Sequence, residues 1–351
     1  MHWDLSWHRS IGRDTFWTPA HLLAQFCGVL MGFSSVAIIL KATLRPDSAI
    51  TKHTVRIWGF RGPLGSFLGA WGGLAMVTSV PLDDWWHSAY GLDVKIFSPP
   101  HVVLWMGIVS VQIGGLILIA AAANRASSAS GDGVLDTLFL FNGSMVLVMT
   151  LFLTYEYSQH VYMHTAFFYL VLSITVPVLL AALKRASHLR WATTIAAGIY
   201  MALICAFVWF LPLFPAEPKL GPVYHEVTHF VPPEFPLLLI VPAIAWDLLM
   251  PRIGGMAPWR QATIAGLVFF CLLFVTQWNF GVFLNSPAAR NRFFAADEFS
   301  YLTQPTAYAA RYLFVPHEAS FGTLLIWAAI AAIVSTRAGL AVGEWLRGVR
   351  R

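Results

Sequence analysis

Nine long apolar runs separated by short polar stretches constrain this chain more than any other feature. Read from hydropathy, they cover residues 22–43, 64–82, 102–123, 134–154, 165–183, 191–213, 235–250, 261–284 and 321–342. About 20 apolar residues in helical form cross the hydrocarbon of a bilayer. The seventh run is short and holds Pro242 and Asp247. Strand-like alternation is absent, which argues against an outer-membrane barrel. Of the 351 residues, 58% are hydrophobic and 11% charged, whereas a soluble domain carries roughly 25% charged residues. The expectation is an all-α polytopic membrane protein of about nine transmembrane helices.

The basic pI of about 9.2 raises nucleic acid as a partner, and the location of the charge decides against it. With the N-terminus outside and the C-terminus inside, fifteen Lys and Arg residues fall on the inner side and seven on the outer. That is the bias of the positive-inside rule. The excess charge reads as topology, and the lipid bilayer is the expected partner. The first twenty residues are charged and aromatic, unlike a cleavable signal peptide. Cys27, Cys205 and Cys271 fall in separate runs and give neither a metal motif nor a disulfide framework.

The polar segments carry a repeat. Residues 4–21, DLSWHRSIGRDTFWTPAH, and 83–101, DDWWHSAYGLDVKIFSPPH, align with one extra residue before the last histidine. Asp4, Trp7, His8, Gly12, Asp14, Thr18, Pro19 and His21 match Asp83, Trp86, His87, Gly91, Asp93, Ser98, Pro99 and His101. Under the expected topology both copies lie on the outer face, each ending where an apolar run enters the bilayer. Thr18 and Ser98 read as helix N-caps, with Pro19 and Pro99 as first helical residues.

In each copy an acid and a histidine stand four apart, which on a helix puts both side chains on one face. The second histidine returns from the first turn of the next helix. Two imidazoles and a carboxylate form a three-ligand site with open positions, suited to copper, zinc or non-haem iron. The candidate ligands are therefore Asp4, His8 and His21, and Asp83, His87 and His101. Asp14 and Asp93 are candidates for orienting a ligand imidazole. The tryptophans around them suit an interfacial belt.

The first motif closely resembles a metal-binding segment of the C subunit of particulate methane and ammonia monooxygenases. That family reads Asp-x3-His-x12-His, with Arg-Asp-Thr and Thr-Pro-x-His inside it, and all of these stand here, including Arg13 and Thr15. A second family site reads Asn-x3-His-x13-His; the spacing is kept by Asp83, His87 and His101, with Asp83 replacing the Asn. The resemblance covers roughly residues 1–123, leaving 124–351 as further transmembrane helices. It implies one or two copper ions near the outer leaflet of a bacterial inner membrane, with zinc or iron an alternative at the second triad. It also implies hydroxylation of a small or apolar substrate with dioxygen. Partners resembling the A and B subunits, or a homo-oligomer such as a trimer, follow from the same likeness. With no flavin, haem or iron–sulfur motif, electrons would come from outside, as from quinol.

Three other stretches carry chemistry-bearing residues. Glu156, His160 and His164 recur at four-residue intervals between the fourth and fifth runs, as a further ligand set or as solvated turn residues. His225-Glu226-Val227-Thr228-His229 matches the HExxH pattern of zinc proteases, in which a helix presents both histidines to zinc and the Glu activates water. Pro222, Pro232 and Pro233 fence it to little more than two turns. The loop 285–320 is long for an idle connection and brings Asp297, Glu298, His317 and Glu318 to the outer face. The leading expectation is a copper monooxygenase-like protein. A membrane copper carrier or store using the same ligands comes next, and a membrane metalloprotease third.

Overall fold

The structure, a computed structural model, describes residues 1–12, 17–45, 51, 53–91, 98–126, 133–219, 227–295 and 320–351. A short helix α1 (His2–Ser10) precedes α2 (Pro19–Leu44), α3 (Leu64–Tyr90), α4 (Pro99–Ala126) and α5 (Gly133–Leu153). Then come α6 (Tyr155–Ser158), α7 (Ala166–Ala186), α8 (Ala192–Phe210), α9 (Ile240–Ile253), α10 (Pro258–Leu284) and α11 (Phe321–Gly348). Among the described residues, eight helices are long and apolar enough to cross a membrane: α2, α3, α4, α5, α7, α8, α10 and α11. The protein is an all-α polytopic membrane protein. A small hairpin, Val55–Ile57 against Phe60–Gly62, lies between α2 and α3, an element that hydropathy does not reveal.

Consecutive spans run antiparallel, so the start of α2, the end of α3 and the start of α4 meet at one end of the bundle, with α1. Small residues hold these three spans together. A Cβ on Gly73 would fall 2.6 Å from Gly32 Cα on α2, and one on Gly72 would fall 2.6 Å from the Gly107 carbonyl on α4. In lipid, where apolar side chains gain little by leaving the solvent, such close backbone approach supplies the association.

Elsewhere α7 lies along α11. Pro177 removes an amide from the α7 ladder. One turn is reworked there. The Ser335 hydroxyl of α11 donates to the Ile174 carbonyl at 2.6 Å and accepts the Val178 N–H at 3.0 Å. A neighbouring helix thus satisfies the freed backbone groups, as membrane burial demands.

The seventh run departs from expectation. Hydropathy reads it as a helix over 235–250, but the chain is non-helical up to Leu238 and α9 has only 14 residues. Pro232, Pro233 and Pro236 explain this, because each lacks an N–H and disfavours helical backbone at the preceding residue. Residues 231–237 are all buried in protein, the one setting in which non-helical backbone is tolerated at membrane depth. Side chains stand in for the missing helical bonds: Leu237 N–H donates to the Tyr200 hydroxyl at 3.1 Å, and Leu238 N–H to Gln277 Oε1 at 3.5 Å. The segment starts beside α1 and reaches mid-bundle at Tyr200, and α9 carries the chain on to the start of α8. There Asp247 accepts the Thr194 N–H at 2.7 Å and pairs with Lys184 at 2.7 Å.

Candidate metal centre

The two copies of the repeat fold alike. Asp4 and His8 share α1, and Asp83 and His87 share the last two turns of α3, which runs eight residues beyond the apolar run that predicts it. Gly12 follows the first helix at φ 102° and Gly91 the second at φ 84°. Glycine reaches this left-handed region at little steric cost. His21 and His101 then lie in the first turns of α2 and α4. Thr18 caps α2, its hydroxyl accepting the His21 N–H at 3.3 Å, with Pro19 as first helical residue.

In the first triad, Asp4 Oδ1 is 2.9 Å from His21 Nε2 and 3.6 Å from His8 Nε2, and the two imidazole nitrogens are 3.3 Å apart. The centre of that triangle lies about 1.9 Å from each atom, close to the roughly 2.0–2.2 Å of metal–nitrogen and metal–oxygen bonds. Asp4 Oδ1 is buried, with His21 the nearer of the two rings beside it. Burial alone would raise the Asp4 carboxyl. The His21 and His8 imidazoles and the N-terminal ammonium outweigh that and hold it below its usual value. The residues present fit a divalent metal.

The second triad is looser. Asp83 Oδ1 is 3.4 Å from His87 Nε2 and 3.7 Å from His101 Nε2. Among the described residues, only Asp4, His8 and His21 bring all their donor atoms within 4.8 Å of one another. His87 is nonetheless oriented as a ligand would be. Its Nδ1 lies 3.1 Å from the Gly91 carbonyl; donating that proton leaves the Nε2 lone pair facing Asp83. Two electron-rich atoms then face each other, an arrangement a cation between them would relieve. Asp83 Oδ1 is buried without a hydrogen-bond donor, and the His101 ring stacks on Trp105.

The other candidates fare differently. Asp14, Asp93, His225, Glu226, Asp297, Glu298, His317 and Glu318 lie outside the described residues. Glu156, His160 and His164 do not form one ligand ladder, because the run folds as the short α6, a 3-10 turn and a bend. His160 is buried beside Glu234, and His164 is buried edge-on against Trp278. Val227–His229 is extended, with Ala216 N–H bonded to the Thr228 carbonyl and His229 bridged to Pro215. The described part of the HExxH motif is therefore non-helical.

Sequence reading misses a buried polar set next to α1. Glu234 Oε2 accepts the His160 backbone N–H at 2.9 Å and lies 3.6 Å from His160 Nδ1. The Tyr155 hydroxyl accepts from Arg9 at 2.9 Å and feels the Glu234 charge. Burial pushes the Tyr155 phenol up, reinforced by Glu234, and pushes the His160 imidazole down. His2, with its ring against Phe152 and Phe207, is pushed down to about 3 by burial and by the nearby N-terminal and Arg9 charges. The one sequence sign of this set is Glu234, a lone acid among three prolines in an apolar run.

No family model, curated protein or solved structure matches the chain.

Proposed function

We propose that the protein is a copper-dependent membrane oxygenase-like protein, akin to the C subunit of particulate methane and ammonia monooxygenases. It would hold copper at Asp4, His8 and His21 on the outer face of a bacterial inner membrane. The observation that carries this reading is the convergence of one carboxylate and two imidazole donors on a common point at metal-bond distance. Imidazole-rich sites favour copper in the divalent series, and the three-residue set leaves positions open for dioxygen or substrate. Bound copper would supply the one-electron chemistry that activates dioxygen.

The chain's own residues do the rest. Asp4 contributes negative charge that offsets the ion's, and Thr18 and Pro19 fix the helix start that presents His21. The apolar spans receive a small or apolar substrate from the bilayer. Asp83, His87 and His101 form a second, more open site that takes copper, zinc or iron. Electrons come from quinol or a partner, and subunits resembling A and B, or further copies of this chain, complete the assembly.

The test is metal analysis of protein purified in lipid with copper supplied, followed by dioxygen consumption with a quinol donor. Copper lost on His8→Ala or His21→Ala, with quinol-dependent dioxygen uptake lost alongside, is the expected result. Copper bound without any dioxygen uptake would replace the oxygenase reading by a carrier or store. Protein that stays metal-free under copper would overturn both.

A further inference from the structure

Helix α1 has nine residues, too few to be stable alone in water, so its pose is set by what it touches. Met1 and Leu5 pack on a cluster of Trp105, Met149 and Phe152. Apolar contact is non-directional; it turns the Met1 and Leu5 side of α1 toward the cluster and leaves the finer rotation to hydrogen bonds. That rotation is set by hydrogen bonds to a single residue of the buried non-helical segment. Ser6 Oγ donates to the Val231 carbonyl at 2.6 Å, and the Val231 N–H donates to Ser10 Oγ at 2.8 Å. Ser10 passes its own proton to the Ser6 carbonyl at 2.5 Å. Both hydroxyl-bearing residues are buried, at 2% and 1% exposure, so water cannot replace these bonds.

At about 100° per residue, Asp4 and His8 lie roughly 160° around the helix from Ser6. The serine face is held by Val231, and the opposite face is thereby turned toward His21. A second tether comes from Arg9, which donates to the Tyr155 hydroxyl at 2.9 Å. The Lys219 N–H, donating to the Ile11 carbonyl at 2.9 Å, holds the C-terminal end.

We propose that Ser6 and Ser10 are positioning residues for the first triad. By binding both backbone groups of Val231, they fix the rotation of α1 that closes Asp4 and His8 on His21. The proposal rests on the metal reading of that triad. It makes the proline-rich segment far along the chain a determinant of metal affinity at the N-terminus.

The test uses full-length protein in lipid nanodiscs with His87→Ala and His101→Ala, so that copper can occupy the first triad alone. Copper(II) titration and the electron paramagnetic resonance spectrum are compared between this parent and a Ser6→Ala/Ser10→Ala derivative. A 10- to 100-fold weaker affinity, the usual effect of losing groups that orient ligands, is expected, with an altered spectrum. Ser6→Thr/Ser10→Thr, which keeps both hydroxyls, should restore the parent's values. Hydrogen exchange should quicken in α1 and stay unchanged in the spans, separating lost positioning from misfolding. Unchanged affinity and spectrum in the alanine derivative would overturn the positioning role while leaving the metal reading intact. A parent that binds no copper would instead overturn the metal reading, and this proposal with it.

Discussion

Asp4 Oδ1 stands 2.9 Å from His21 Nε2, although the two residues belong to different helices. The equivalent pair in the second copy, Asp83 and His101, is 3.7 Å apart. The same residue types at nearly the same spacing thus give one closed site and one open site. A preformed ligand set loses less on binding than one that must be drawn together, so the two triads should differ in affinity.

Copper titrated into lipid-embedded protein should fill the first triad before the second. His8→Ala should remove the tighter phase and His87→Ala the weaker one. Two phases that both survive His8→Ala would contradict the assignment.

Asp83→Asn removes an anionic ligand from the second triad and restores the amide of the family pattern. A hard divalent ion should then bind more weakly there, and reduced copper should compete better. Element-resolved metal content of wild type and variant, loaded under reducing conditions, reads this shift; an unchanged ratio of copper to zinc and iron counts against it.

In the metal-free protein, the depressed Asp4 carboxyl is a stability term with a definite sign. It is present above the ordinary carboxylate value of about 4 and fades as pH falls through the lower folded value. Asp4→Asn should therefore lower the unfolding temperature at neutral pH and have little effect in strong acid. An equal effect at both pH values would show that the charge is not the cause.

Lys184 and the fully buried Asp247 carboxylate also tie α7 and α9 to the start of α8. Removing one partner of a buried pair leaves the other charge uncompensated, at a cost of about 3–5 kcal/mol. Asp247→Ala should cost that much, and Lys184→Met with Asp247→Leu together much less. Thermal unfolding in detergent measures both, and a double variant as unstable as the single one would refute the pairing argument.

On the topology expected from the charge bias, with the N-terminus outside and the proline-rich segment plus α9 as a ninth crossing beside the eight long helices, cytoplasmic reporters fused after residues 50 and 350 should both be active. An inactive reporter at residue 50 would turn the candidate metal face inward, and one at residue 350 alone would change the number of crossings.

The apolar runs and the repeated motif carried much of this protein in plain sight. Eight of nine expected spans form within a few residues at most ends, because the cost of leaving a polar group in hydrocarbon is summed locally along the chain. Asp4 with His8, and Asp83 with His87, were legible because helical spacing alone puts each pair on one face. Gly12 and Gly91 matched in the alignment, and both take a positive φ just after their helices. The tertiary structure decided the rest. Residues 231–238 avoid helix because three prolines disfavour it, and 231–237 are buried where Tyr200, Gln277, Ser6 and Ser10 supply bonds from distant positions. Glu234 meets His160 across 74 residues of sequence, and no local pattern marks either as the other's partner. The closure of the first triad, against the openness of the second, depends on how α1 is rotated. That rotation is set by hydrogen bonds to Val231, more than two hundred residues along the chain.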